Sequence, residues 1–244
     1  NGPRAFAMIP ALSYIADGDV LTVNFYGESE ADVALGGRNV MHVRQTGTYP
    51  VSGDIDIELS PVKPAEFSVA LRIPQWSRET SASVFSGADT VSIDLNGLGA
   101  GEYARISRRW KAGDRIRLSL DMSARVVEQD RHQAIVRGPI VLARDTRFED
   151  GYVDEGVVVN ADGNGKVELI PYTDVKFAWM AFGAPMVAGT DLENNGKPRM
   201  IHLCDFASAG NTWEKSVRYR VWLPKTLNVM QGEYRAYNDG PVEN

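Results

Sequence analysis

The sequence predicts a mainly β protein, with two antiparallel β-sandwiches preceded by one short helix. Apolar and polar residues alternate with a period of two from about residue 20 into the last third of the chain. Glycine, proline and Asn-Gly or Asp-Gly signals punctuate these runs at short intervals, as turns between strands require. Only residues 4–16, RAFAMIPALSYIA, follow helical spacing, through Ala5, Met8, Ile9, Leu12, Ile15 and Ala16.

That helix has Pro3 in its first turn, where the missing N–H costs nothing, and Pro10 inside, where it should kink. It has almost no polar face, so burial on more than one side is expected. The expectation is that it docks on its own sandwich or on a neighbouring chain, or else loses its form; an exposed helix is excluded. Strands follow from Val20. Leu21, Val23 and Phe25 alternate with Thr22 and Asn24, and Gly36-Gly37 separates them from NVMHVRQT. Ile55, Ile57 and Leu59 face inward opposite Asp54, Asp56 and Glu58, and Phe67, Val69, Leu71 and Ile73 repeat the pattern up to Pro74. Shorter strands are expected at 81–85 and 90–95. In YARISRRWKAGDRIRLSLDM, Ala104, Ile106, Arg108 and Trp110 alternate, then Ile116, Leu118, Leu120 and Met122. Around Lys111–Asp114 this reads as a β-hairpin.

A second unit starts near Ser123 with ARVVEQD and AIVRGPIVLAR, broken at Gly138-Pro139. A turn over Asp162-Gly163-Asn164-Gly165, alternation at Phe177 and Trp179, and Val217, Tyr219, Val221 and Leu223 complete it. The expected domains are residues 1–18, 19–122 and 123–244.

A chain of 244 residues with 43% hydrophobic and 24% charged residues can bury a real core in one large or two ordinary domains. The net charge of -6 argues against a nucleic-acid or anionic-membrane partner, which would call for a basic patch. No apolar run approaches the ~20 residues of a membrane span. The single cysteine, Cys204, rules out an internal disulfide and a cysteine-rich zinc site. It is expected in a core; a reactive thiol helped by His202 is the alternative. The start NGPRAFAM has neither an initiator Met nor signal-peptide form, so a matured or excised piece is expected, with the compartment open.

Candidate chemistry is sparse. Asn160–Gly165 places oxygen ligands at alternate positions, but Pro171 stands where a calcium loop would need its Glu, so a turn is expected. Glu28, Glu30 and Asp32, and Asp145, Glu149 and Asp150, are carboxylate groups of the kind a glycosidase pairs, yet both lie in polar stretches and read as solvated. No nucleophile elbow is present, and three histidines spread over the chain give no metal signature. Among the tryptophans, Trp110 and Trp179 read as core. Trp76 and Trp213 lie in loops and are the candidates for stacking on sugar.

Several words then stand out in order: NGPRA at Asn1–Ala5, LRIPQWS at Leu71–Ser77, RWKAGD at Arg109–Asp114, RGPIV at Arg137–Val141, DFASAGNTW from Asp205 to Trp213, and YRVWLP at Tyr219–Pro224. Together they resemble the C-terminal part of the β-L-arabinofuranosidases of glycoside hydrolase family 127. The likeness departs at Phe85-Ser86-Gly87 and Ala143-Arg144. The resemblance implies an (α/α)6 barrel followed by β-sandwiches, with residues 4–16 as the last barrel helix. It also implies a cysteine nucleophile at a zinc site of three cysteines and a glutamate, with a separate acid/base glutamate, all in the parent enzyme and none in this chain. The family's Cys-Cys pair would fall just before Asn1.

The expected function is therefore a non-catalytic accessory portion of a glycosidase acting on plant-type or other complex glycans. The alternatives are an autonomous carbohydrate-binding module and a self-contained hydrolase with a carboxylate pair. No catalytic residue, metal or cofactor is expected in this chain, with zinc in the parent. Asn1, Arg4, Trp76 and Trp213 are the substrate-side candidates. The expected partners are the missing N-terminal barrel, a glycan, and self-association through residues 4–16. The resemblance implies a soluble bacterial protein, periplasmic or cytoplasmic.

Overall fold

The computed structural model describes residues 2–36, 39–99, 101–188, 197–212 and 214–225. It divides into two compact units, residues 1–122 and 123–244. Among the described residues mainly antiparallel strands build it, as the alternation predicts, with one α-helix and a 3-10 turn at Thr146–Phe148.

In the first unit a helix, α1 (Gly2–Ser13), leads into ten strands: β1 (Tyr14–Asp17), β2 (Val20–Val23), β3 (Ser29–Leu35), β4 (Asn39–Gly47), β5 (Asp54–Pro61), β6 (Ala65–Arg72), β7 (Ser81–Ser86), β8 (Asp89–Ile93), β9 (Tyr103–Trp110) and β10 (Asp114–Ser119). They form two sheets, β1-β2-β6-β9 and β3-β4-β5-β10-β7-β8. Among the described strands of this unit, only β2 and β6 run parallel. Leu21, Val23, Phe67, Val69, Leu71, Ile106 and Trp110 from the first sheet meet Met41, Val43, Ile55, Ile57, Leu59, Ile116 and Leu118 from the second in one buried core. The unit is a two-layer sandwich whose layers follow from which parity of each strand is apolar.

Two expectations are corrected here. The helix ends at Ser13, and Tyr14–Asp17 is an edge strand paired with β2. Tyr14 explains the break: its hydroxyl takes part in a hydrogen bond with Ser29 Oγ at 2.8 Å and accepts one from the buried Gln45 Nε2 at 2.8 Å. The strands flanking Lys111–Asp114 do not form a hairpin. β9 pairs with β6, whereas β10 pairs with β5 and β7 in the other sheet. The chain crosses the sandwich instead. Gly113, at φ +85, and Asp114, whose Oδ2 accepts the Lys111 N–H at 3.1 Å, make that crossing in a tight turn.

In the second unit the strands are β11 (Ala124–Gln129), β12 (His132–Arg137), β13 (Ile140–Asp145), β14 (Val157–Val159), β15 (Lys166–Val167), β16 (Ile170–Pro171), β17 (Ala181–Ala188), β18 (Arg199–Asp205), β19 (Tyr219–Arg220) and β20 (Leu223–Pro224). The hydrogen-bonded path runs β14-β17-β18-β13-β12-β11-β15, with β16 on β17, β19 on β13 and β20 on β12. Ile135 and Leu142 from one half, and Val157, Ala184, Met186, Ile201 and Leu203 from the other, close on a single core. The Asp162 turn forms as expected: Oδ1 accepts the N–H groups of Asn164 and Lys166, both at 2.8 Å, and an isolated bridge joins Ala161 to Val167.

β13 changes partner along its length. It pairs with β18 only at Leu142↔Asp205 and Ala143↔Cys204, then leaves it to pair with β19 at Arg144↔Arg220 and Asp145↔Tyr219. The splay leaves the His202 backbone N–H without a strand partner on that side, and Asp150 Oδ2 accepts it at 2.6 Å.

Candidate functional site

Three places on the chain carry features beyond packing. The first is α1. Phe6, Met8, Ile9 and Leu12 expose 73%, 53%, 38% and 43% of their surface. The helix is held near its C-terminus, where Asn24 donates from its backbone N–H to the Ser13 carbonyl at 3.0 Å and from Nδ2 to the Leu12 carbonyl at 3.2 Å. Of the outcomes expected for this helix, docking on its own sandwich is not the one found: the helix is formed and keeps these side chains off the core of its own unit. Arg4 is also exposed on this helix.

The second is a cavity of about 310 Å3 lined by Ile73, Ser77, Arg78, Thr80, Leu95 and Leu98. Trp76 borders it in sequence, half-buried against the sandwich core. Ser77 is itself buried, its Oγ sharing a hydrogen bond with Thr80 Oγ1 at 2.7 Å and accepting the Asp121 N–H at 2.8 Å. Of the expected substrate-side residues, Arg4 and Trp76 stand on different elements, and Asn1 and Trp213 lie outside the described residues.

The third is a charged and aromatic layer in the second unit, built over the splay of β13. Arg144 is 1% exposed and faces Asp150 at 3.6 Å and Glu155 at 3.5 Å, while Arg199 Nη2 donates to Glu155 Oε2 at 2.9 Å. Gly151 lies against this cluster: a Cβ there would meet Arg199 and Glu155 at 3.0 Å. Phe148 and Tyr172 pack against the His202 ring and Phe177 packs on Phe148, while His202 Nδ1 lies 3.1 Å from Asp150 Oδ2. Beside them Asp145 accepts from Arg147 Nη2 at 2.6 Å and from the Gly210 N–H at 2.9 Å. Arg147 also donates to the Ser208 carbonyl at 3.0 Å and to Asn211 Oδ1 at 2.7 Å. Asp205 accepts the N–H groups of Met180 at 2.8 Å and Ser208 at 3.0 Å.

The sequence reading of Asp145 and Asp150 as solvated carboxylates is thus corrected. Asp145 is 2% exposed and Asp150 is partly buried, because arginines and backbone donors converge on them. Trp179, read as core, is 60% exposed; residues 173–179 form no strand, so alternation there has no ladder behind it.

Chemically the layer binds and braces. Burial would raise the Asp145 carboxyl, but the Arg147 and Gly210 hydrogen bonds outweigh it and hold the group below the usual carboxylate range. It is an acceptor, with no proton to give at neutral pH. Cys204 is fully buried, and burial, with Asp145 and Asp205 nearby, pushes its thiol up to about 12. That agrees with the core reading and removes it as a nucleophile. Among the described residues no three His, Cys, Asp or Glu side chains converge as metal ligands. No helix among the described residues is long and apolar enough to cross a membrane.

The architecture places the chain among proteins built from consecutive β-sandwich units. Within that class, residues 20–122 match the family described as "Beta-L-arabinofuranosidase, GH127 middle domain". No curated relative matches the chain. A GH127 β-L-arabinofuranosidase from Geobacillus stearothermophilus T6 is similar at TM-score 0.73 and 22% identity, over 91% of this chain and 36% of that one. A structure described as a glycoside hydrolase is similar at TM-score 0.71 and 20% identity, over 92% of this chain and 39% of the other. A GH127 β-arabinofuranosidase follows at TM-score 0.64 and 21% identity, over 91% and 37%. The chain thus spans little more than a third of each. The resemblance read from the sequence words stands: residues 20–122 match the GH127 middle-domain family, and the chain shares the fold of these solved structures.

Proposed function

We propose that the chain is the accessory β-sandwich portion of a β-L-arabinofuranosidase-like glycosidase. In this reading it braces a separate helical domain that carries the nucleophile, the zinc and the acid/base group, and a complex glycan is the substrate of the whole. The observation that carries it is α1. Its four large apolar side chains stand in solvent at the end of a sandwich, and burying each is worth ~1.5–3 kcal/mol. A surface of that kind is expected where another part of a larger protein packs. The share of the relatives' length that this chain covers, 36% to 39%, leaves room for such a part. The reactive groups in hand point the same way: a protonated Cys204 and an ion-paired Asp145 supply neither nucleophile nor acid.

The test is an assay of the purified chain against aryl β-L-arabinofuranosides and other aryl glycosides, with metal analysis. Hydrolysis at background and substoichiometric zinc are expected. Turnover that survives repurification, or one zinc per chain, would overturn the reading.

A further inference from the structure

The cavity beside Trp76 is confined to the first unit and is built by two stretches of chain, one from Ile73 to Thr80 and one around Leu95 and Leu98. Its volume of about 310 Å3 is at the lower end of the ~300–1,000 Å3 of small-molecule sites, so it suits a compact ligand and not a polymer. Ile73, Leu95 and Leu98 give it aliphatic walls, and Ser77, Arg78 and Thr80 give it polar groups.

The side-chain groups left over in this lining are donors. Arg78 is exposed and makes no ion pair or hydrogen bond among the described residues. Ser77 Oγ and Thr80 Oγ1 share one hydrogen bond at 2.7 Å, and Ser77 Oγ also accepts the Asp121 N–H at 2.8 Å. Two hydroxyl hydrogens lie in that pair and the bond between them uses one, so one O–H remains to donate. The acceptors nearby are taken by the loops themselves. The carbonyls of Ile73, Pro74 and Leu95 accept from the N–H groups of Gly101, Ser77 and Leu98 at 3.0, 3.0 and 3.1 Å. Asp94 Oδ1 accepts the Asn96 N–H and Glu102 Oε2 the Gly99 N–H, both at 2.9 Å.

An uncompensated guanidinium and a free hydroxyl hydrogen beside aliphatic walls call for an anion that carries an apolar body. We propose that this cavity binds a small monocarboxylate, its carboxylate on Arg78 and the Ser77–Thr80 pair and its hydrocarbon against Ile73, Leu95 and Leu98. A guanidinium holds a carboxylate through parallel N–H donors, and removing the hydrocarbon from water adds to the affinity. Inorganic phosphate would use the same donors and leave the aliphatic walls uncovered. The site stands independently of the accessory assignment, which the activity and zinc assays decide.

The experiment is isothermal titration calorimetry of the full chain with benzoate and hexanoate. Benzamide serves as the uncharged match of benzoate, and inorganic phosphate as the anion without an apolar body. A Kd of about 1 mM or tighter is expected for at least one carboxylate, as for ligands of about nine heavy atoms, with benzamide and phosphate about tenfold weaker or more. Arg78→Gln should weaken carboxylate binding about tenfold or more, as the loss of a hydrogen bond to a charged group does. Its melting should match the parent's, since Arg78 is exposed and unpaired. Leu98→Ala should weaken the same carboxylate about threefold or more, through lost apolar contact. No binding of either carboxylate up to ~10 mM overturns the proposal. So does equal binding of benzamide or phosphate, or affinity kept in full by Arg78→Gln or by Leu98→Ala.

Discussion

Trp110 shows how much one residue settles in the first unit. It is fully buried, stacks on Phe67 at 5.8 Å, and donates from Nε1 to the Phe67 carbonyl at 3.0 Å. Arg108 places its guanidinium 5.2 Å from the indole centroid, which leaves that long side chain only partly exposed on an otherwise apolar face. Trp110→Ala removes the indole and leaves the Phe67 carbonyl unpartnered by it. The expected loss is ~3–5 kcal/mol, read as a fall in the urea midpoint at unchanged slope. A melting temperature within a degree or two of the parent would contradict the core assignment. Asp145 gives a pH-dependent case. Its folded pKa lies below its unfolded value, so its stabilisation is present above the unfolded value and fades as pH falls through the folded one. Asp145→Asn should therefore lower the melting temperature at neutral pH, and the gap between variant and parent should narrow below about pH 4. A gap that stays constant down to about pH 2 would mean that Asp145 acts through packing alone.

At the scale of elements, the parity of each strand is legible in the sequence, because burial of one face imposes it directly. Ile55, Ile57 and Leu59, or Phe67, Val69 and Leu71, can be assigned inward from sequence and are buried. What parity cannot carry is the partner. The strands at Tyr103–Trp110 and Asp114–Ser119 have the alternation of a hairpin, and a cross-sandwich turn leaves the same alternation. The helix end is hidden for a different reason. Ile15 and Ala16 continue the helical spacing, but Tyr14 is claimed by Gln45 and Ser29, which are remote in sequence. The charged and aromatic layer escapes a sequence reading because its partners are also remote: Asp150 meets His202, and Arg147 meets Asn211. The true helix end also moves the place to cut. Removing residues 1–13 should leave strand-type circular dichroism and melting close to the parent's, and should reduce any self-association. Removing residues 1–17 also takes β1 and withdraws the Tyr14 hydroxyl from Gln45, which is 1% exposed, so a clear loss of stability is expected, of order 1–3 kcal/mol. Equal melting of the two truncations would show that β1 adds nothing to the sandwich.

At the scale of the molecule, each unit closes its own core. The buried apolar residues of the first run from Leu21 to Leu120, and those of the second from Ala124 to Leu223. A cluster drawn wholly from one contiguous stretch is what independent folding requires, and a stretch of about 100 residues can bury enough apolar surface to be stable. Both sheets of the first unit are complete within Tyr14–Ser119, including the turn at Gly113 by which the chain crosses between them. Residues 14–122, without the exposed apolar side chains of α1, should therefore express as a soluble domain. It should give a strand-type spectrum and a single cooperative urea transition, with the fluorescence of Trp76 and Trp110 and the circular dichroism changing together. Coincident transitions would establish the first sandwich as a folding unit. A fragment that unfolds without cooperativity, or only in company with residues 123–244, would mean that the second unit contributes to the stability of the first.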